Sequence, residues 1–158
     1  METALLKFQE TFVLVDFDAP DAEAIIQALA ERLHKASMVS EDYGKATIER
    51  ERQHATGLPT KPFPIAFPHA DADGVVESAL AVANLKAPVV FKNMADPDED
   101  LAVELVIMLA NKTPEEQIET LRNLAELFGQ PDKLSELKNI RDAAAIVSWL
   151  SKELELNP

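Results

Sequence analysis

The sequence predicts an α/β fold built around a mixed sheet, and three observations carry that prediction. Apolar residues recur with two periods, the short run or alternation of a strand and the three-to-four spacing of a helix, and the two patterns are interspersed along the chain. The chain has 158 residues, enough for one domain with a sizeable core. No internal repeat, low-complexity tract or long linker divides it, so a single domain over residues 1–158 is expected.

The elements follow in order. Phe12 to Phe17 is a short apolar run and reads as a strand. Pro20 and Asp21 signal the start of a helix in which Ala22, Ile25, Ile26, Leu29 and Leu33 share one face. Ser40 is placed to cap a second helix, running to about Gln53, with a weak apolar face and a dense polar one. Four prolines and a glycine between Thr56 and Pro68 exclude helix there. Pro64 to Phe67 reads as a short edge strand between flanking prolines. Ser78 to Leu85 and Val89 to Phe91 read as two strands meeting near Pro88, and Val103 to Ala110 as a buried strand.

Thr113 and Glu116 then make a capping-box pattern with Pro114 at the first helical position. Ile118, Leu121, Leu124, Ala125 and Phe128 form the apolar stripe of that helix, and Gly129 ends it. A shorter helix from Pro131 to Lys138 and a last one from about Asp142 to Leu154, anchored by Ile146, Trp149 and Leu150, complete the chain.

Composition narrows the function. Fifteen basic against 28 acidic side chains give a net charge of −13. That excess argues against nucleic acid, which needs a basic patch, and against anionic membrane surfaces. It favours partners that are locally basic. With no cysteine, the chain has no disulfide, no thiolate nucleophile and no cysteine-ligated metal. The longest apolar runs, such as Leu105 to Ala110, are far too short to span a bilayer. Glu2, Glu10, Asp16 and Asp18 leave no long apolar stretch for a signal peptide, so a cytoplasmic location is expected.

Three histidines are the candidates for chemistry, because imidazole changes charge near neutral pH and has two distinct nitrogens. His34 and His54 each close a helix, where a cation meets the negative end of the dipole, and read as structural. His69 follows Pro68 at the end of the apolar segment Ile65-Ala66-Phe67, so its ring is held on a stiff backbone at a strand terminus. A satisfied loop histidine is the plain alternative. The string His69-x-Asp71-x-Asp73 offers a metal reading, as in a metal-dependent hydrolase, but no second histidine stands at ligand spacing. Asp96, Asp98 and Asp100 imitate the start of a calcium loop, yet Leu101 and Ile107 occupy the positions that need glycine and glutamate. No glycine-rich phosphate cradle or serine-triad motif is present.

The ordered set Arg50-Glu51, Thr56-Gly57 and Ile65-Ala66-Phe67-Pro68-His69 resembles the enzyme IIA components of the fructose–mannitol class in the bacterial phosphoenolpyruvate-dependent sugar phosphotransferase system. The resemblance spans most of the chain. The longer loop Gly57 to Phe63, and Gln117 where mannitol-type members carry a second histidine, are similar to the galactitol-type branch.

The resemblance implies a compact α/β domain with a mixed sheet flanked by helices on both faces, and no cofactor. It implies that His69 is phosphorylated by the histidine phosphocarrier protein HPr. His69 would then pass the group to a cysteine of a IIB component, itself linked to the membrane component IIC. It further implies that Arg50 stabilises the phosphoryl charge, with Arg52 as the fallback, and that Thr56 and Gln117 donate hydrogen bonds. A surface ion pair, a turn residue and an exposed first-turn residue are the plain readings of Arg50, Thr56 and Gln117. Phe63, Ile65 and Phe67 are expected either to form a dry docking rim or to pack in the core. A regulatory protein that uses the same His69 as a signalling switch is the alternative function.

Overall fold

A computed structural model describes residues 6–156. Five strands, β1 (Val13–Phe17), β2 (Gly57–Leu58), β3 (Ile65–Ala66), β4 (Ala79–Asn93) and β5 (Asp96–Ala110), form one mixed sheet. Five helices surround it: α1 (Ala22–Lys35), α2 (Tyr43–Gln53), α3 (Pro114–Phe128), α4 (Pro131–Lys138) and α5 (Ala143–Glu153). β1 runs parallel to β4 and β3 parallel to β5, while β4 and β5 are an antiparallel hairpin.

Strand alternation sorts the core into two layers. Ala79, Ala81, Ala83, Val106 and Met108 face one layer with Ile25, Ile26, Leu29 and Leu33 of α1. Leu80, Val82, Leu105, Ile107 and Leu109 face the other, with Leu124 and Phe128 of α3, Leu134 and Leu137 of α4, and Ile146 and Leu150 of α5. Helices therefore cover both faces, as the family resemblance implies. The row of alanines on β4 leaves room for α1 to lie close against the sheet.

Local signals place the helix starts. The Asp21, Thr113 and Asp142 side chains accept from the backbone N–H three residues on. The capping box at Thr113 is only half made, because Glu116 accepts from the Ser78 hydroxyl at 3.1 Å and the Thr113 hydroxyl at 3.5 Å instead of from the Thr113 N–H. Ser40 contributes its carbonyl to Tyr43 N–H rather than a side-chain cap.

Several expectations are corrected. The two strands thought to meet near Pro88 are one strand with a bulge, in which Lys86, Ala87 and Pro88 are exposed between Asn84 and Val89. Lys138 Nζ donates to the carbonyls of Leu85 at 2.7 Å and Glu104 at 3.2 Å, serving acceptors that the bulge takes out of the ladder. The segment at Ile65–Ala66 is not an edge: it pairs with β2 on one side and β5 on the other. Its flanking prolines lack N–H groups but lend their carbonyls to Glu104 and Leu109. On α3 the buried face is Thr120, Leu124, Leu127 and Phe128, while Ile118 is 57% exposed and Ala125 also faces solvent. Phe63, Ile65 and Phe67 are all in the core, so they form no docking rim.

Candidate active site

β3 ends at Ala66, and Phe67-Pro68 carries the chain to His69 beside the C-terminal end of β5. Leu109 N–H donates to the Pro68 carbonyl at 3.1 Å. Tyr43, at the start of α2, closes the other side: its hydroxyl donates to the Leu109 carbonyl at 2.7 Å and accepts from Ala70 N–H at 3.1 Å. The residues on both sides of His69 are thereby tied to β5.

His69 Nδ1 lies 2.8 Å from the Phe67 carbonyl oxygen. A carbonyl can only accept, so Nδ1 carries the proton and Nε2 keeps its lone pair. Burial pushes the His69 pKa below its ordinary 6.5; the Arg50 charge lowers it further, against the Phe67 hydrogen bond and Asp71. The ring is neutral at pH 7. It is more enclosed than a strand-end loop suggests, at 8% exposure, yet it belongs to neither apolar cluster. Nε2 bonds to no described residue.

Arg50 lies on the last turns of α2, with Nη1 3.8 Å from Asp71 Oδ1. Its Nε is buried and has no hydrogen-bond partner among the described residues. An open hollow of about 520 Å³ lies between α2 and the chain after His69, lined by Tyr43, Arg50, His54, Ala70, Asp71 and Asp73. A neutral, oriented imidazole within electrostatic reach of a partly exposed guanidinium suits an incoming phosphoryl or carboxylate group.

The other expected site residues are placed differently. Thr56 gives both its donors to Glu51: N–H to Oε2 at 2.9 Å and the hydroxyl to Oε1 at 2.8 Å. Its hydroxyl proton is therefore not directed at His69, a correction whose cause is the neighbouring carboxylate. Gln117 sits half-buried in the first turn of α3, which leaves the same end of β5, and its side chain makes no hydrogen bond among the described residues. Arg52 pairs with Glu23 of α1 at 2.7 Å and takes no part in the site.

His34 is exposed in the last turn of α1, with Nδ1 donating to the Val39 carbonyl. His54 caps α2 and lines the hollow. His69, Asp71 and Asp73 do not converge: among the described residues no group of three or more His, Asp or Glu is arranged to hold a metal ion. Asp71 instead faces Arg50, and Asp73 lies in a short 3-10 turn. Asp100 pairs with Lys92 across the hairpin. Sequence reasoning missed Tyr43 altogether and gave Glu51 no role. The only available hint was that Tyr43 is the sole tyrosine.

Residues 7–153 match the family described as the phosphoenolpyruvate-dependent sugar phosphotransferase system, EIIA 2, and the chain belongs to that family. It is therefore a phosphotransferase component of the EIIA type. It is 31% identical over 121 residues to the galactitol-specific EIIA component of Escherichia coli strain K12, covering 77% of this chain and 80% of that protein. It is 33% identical over 141 residues to the transcriptional regulator ManR of Bacillus subtilis strain 168, covering 89% of this chain and 18% of ManR. The fold is shared with IIA mannitol from Escherichia coli, at a TM-score of 0.75 and 22% identity over 94% of this chain and 99% of that one. It is shared too with a chain in the complex of enzyme IIAMTL and phosphorylated enzyme IIBMTL, at 0.76 and 21% over 96% and 99%. Among the described residues no helix is long and apolar enough to cross a membrane.

Proposed function

We propose that this chain is a cytoplasmic phosphocarrier domain in which His69 Nε2 takes a phosphoryl group from phospho-HPr and delivers it to a cysteine of a cognate IIB component. The observation that carries the reading is the Nδ1–H bond to the Phe67 carbonyl, which leaves Nε2 as the free nucleophile near Arg50. The Nε2 lone pair attacks phosphorus as the bond to the donor histidine breaks, and the donor nitrogen keeps that electron pair. The reverse geometry serves the second step: a cysteine thiolate attacks, and Nε2 leaves with its lone pair. Arg50, whose side chain is partly exposed, offsets the charge on the transferring oxygens. Gln117 adds an amide donor for those oxygens. IIC moves the sugar, which the relative in Escherichia coli suggests is galactitol or a similar polyol.

The decisive experiment uses the purified protein and phospho-HPr. Wild type takes one phosphoryl group, and His69→Ala takes none while keeping its circular dichroism and melting temperature. Labelling of His69→Ala at the normal rate refutes the assignment. The 33% identity to part of ManR favours a second reading, a regulatory switch on the same histidine. Purified IIB proteins separate the two, since only a transport component passes its phosphoryl group to one of them.

A further inference from the structure

Glu51 follows Arg50 on α2, and its position is not explained by helix stability. An acidic side chain in the last turn of a helix faces the negative end of the dipole, which disfavours it. It makes no ion pair among the described residues, although Arg50 is its neighbour and Arg52 lies one residue beyond. It lines a hollow of about 360 Å³ with the apolar Ile26, Ile48 and Phe91, and burial raises its pKa above the ordinary 4.5 even though the Thr56 bonds pull it down. A carboxylate kept there against that cost has a structural task. Both its oxygens accept from Thr56. The Thr56 carbonyl accepts a long bond, 3.4 Å, from Phe67 N–H, and the next residue pair, Gly57 and Ala66, is the first rung of the β2–β3 ladder. The Phe67 carbonyl is the acceptor that holds the His69 proton on Nδ1.

We propose that Glu51 is a positioning residue for phosphoryl transfer: by clamping Thr56 to the end of α2, it fixes the Phe67 carbonyl, and through it the tautomer of His69, relative to Arg50. Glu51 touches neither the phosphoryl group nor the imidazole. Its effect runs through Thr56 and the β2–β3 pair, and it joins the helix that supplies the guanidinium to the strand that supplies the nucleophile. Tyr43 ties the other end of the same helix to Ala70 and Leu109. The inference rests on His69 being the phosphorylated residue.

The test compares Glu51→Ala and Glu51→Gln in the full chain, by the ¹⁵N spectrum of His69 and by the rate of labelling from phospho-HPr. Glu51→Ala is expected to show both His69 tautomers and to label about tenfold more slowly, because misplacement of reacting groups by a fraction of an ångström is costly. Glu51→Gln is expected to recover the single tautomer and most of the rate, since its amide oxygen accepts Thr56 N–H and its NH₂ donates to the Thr56 hydroxyl. A wild-type tautomer and rate in Glu51→Ala overturns the inference. So does a Glu51→Gln as impaired as Glu51→Ala, which would mean that charge rather than geometry is what matters. If Glu51→Ala does not fold, Thr56→Val removes the hydroxyl bond alone; a slower rate with mixed tautomers supports the inference, and no change in either overturns it. Failure of the wild type to label would refute the reading of His69, while the tautomer comparison would still judge Glu51.

Discussion

Replacing Tyr43 by Phe tests how the His69 loop is held. The side chain is fully enclosed, and phenylalanine fills the same space, so packing changes little. What is lost is one oxygen serving two backbone groups, the Leu109 carbonyl and the Ala70 N–H, both in buried residues. A buried group left unpaired costs about 1–3 kcal/mol. Two such groups, less the hydroxyl's own desolvation, give a destabilisation of about 3 kcal/mol. For a domain of this size that lowers Tm by roughly 6–12 °C. Burial pushes the Tyr43 pKa up to about 12, so the hydroxyl stays a donor throughout the physiological range. Urea unfolding of both proteins measures the difference, and hydrogen exchange at the Ala70 amide locates it. A loss under roughly 0.5 kcal/mol, or an Ala70 amide as protected as before, would show that these groups find other partners and that the clamp is not real. Phosphoryl acceptance should fall along with stability, since Ala70 adjoins His69, the proposed nucleophile.

Acceptance needs the neutral imidazole, so the labelling rate should be flat near pH 7 and fall only below 6.5, with the midpoint given by the depressed His69 pKa. By the same displacement, His69 contributes stability that is complete above pH 6.5 and is lost as pH falls through the folded-state value. Arg50→Ala should slow transfer about a hundredfold and also move the acid limb upward, because the guanidinium favours the uncharged ring; a limb that stays put would place Arg50 away from His69. Gly57→Ala should cost about 2 kcal/mol in urea unfolding, because a Cβ there would stand 2.4 Å from the Lys92 carbonyl oxygen and the hairpin end would have to move; a neutral substitution would contradict that contact.

The chain's own order of residues determined what depends on near neighbours. Asp21, Thr113 and Asp142 start their helices because each bonds three residues ahead, and Pro131 to Lys138 is helical as its sequence signals imply. The apolar runs Ser78 to Leu85 and Val103 to Ala110 were enough to predict strands, and Pro68-His69 marked the candidate site. Contacts between distant segments were not legible. The tyrosine hydroxyl reaches Leu109 across 66 positions. Lys138 serves two carbonyls at the bulge that joins the presumed strands at Pro88. Ile118 belongs to a helical stripe by period but stays exposed. The Thr56 hydroxyl, expected as a donor at the site, donates its hydrogen bond to the carboxylate five residues earlier. Spacing along the chain sets which groups point the same way within a few residues; which acceptor a donor finally meets is decided only when the sheet brings remote backbone alongside it.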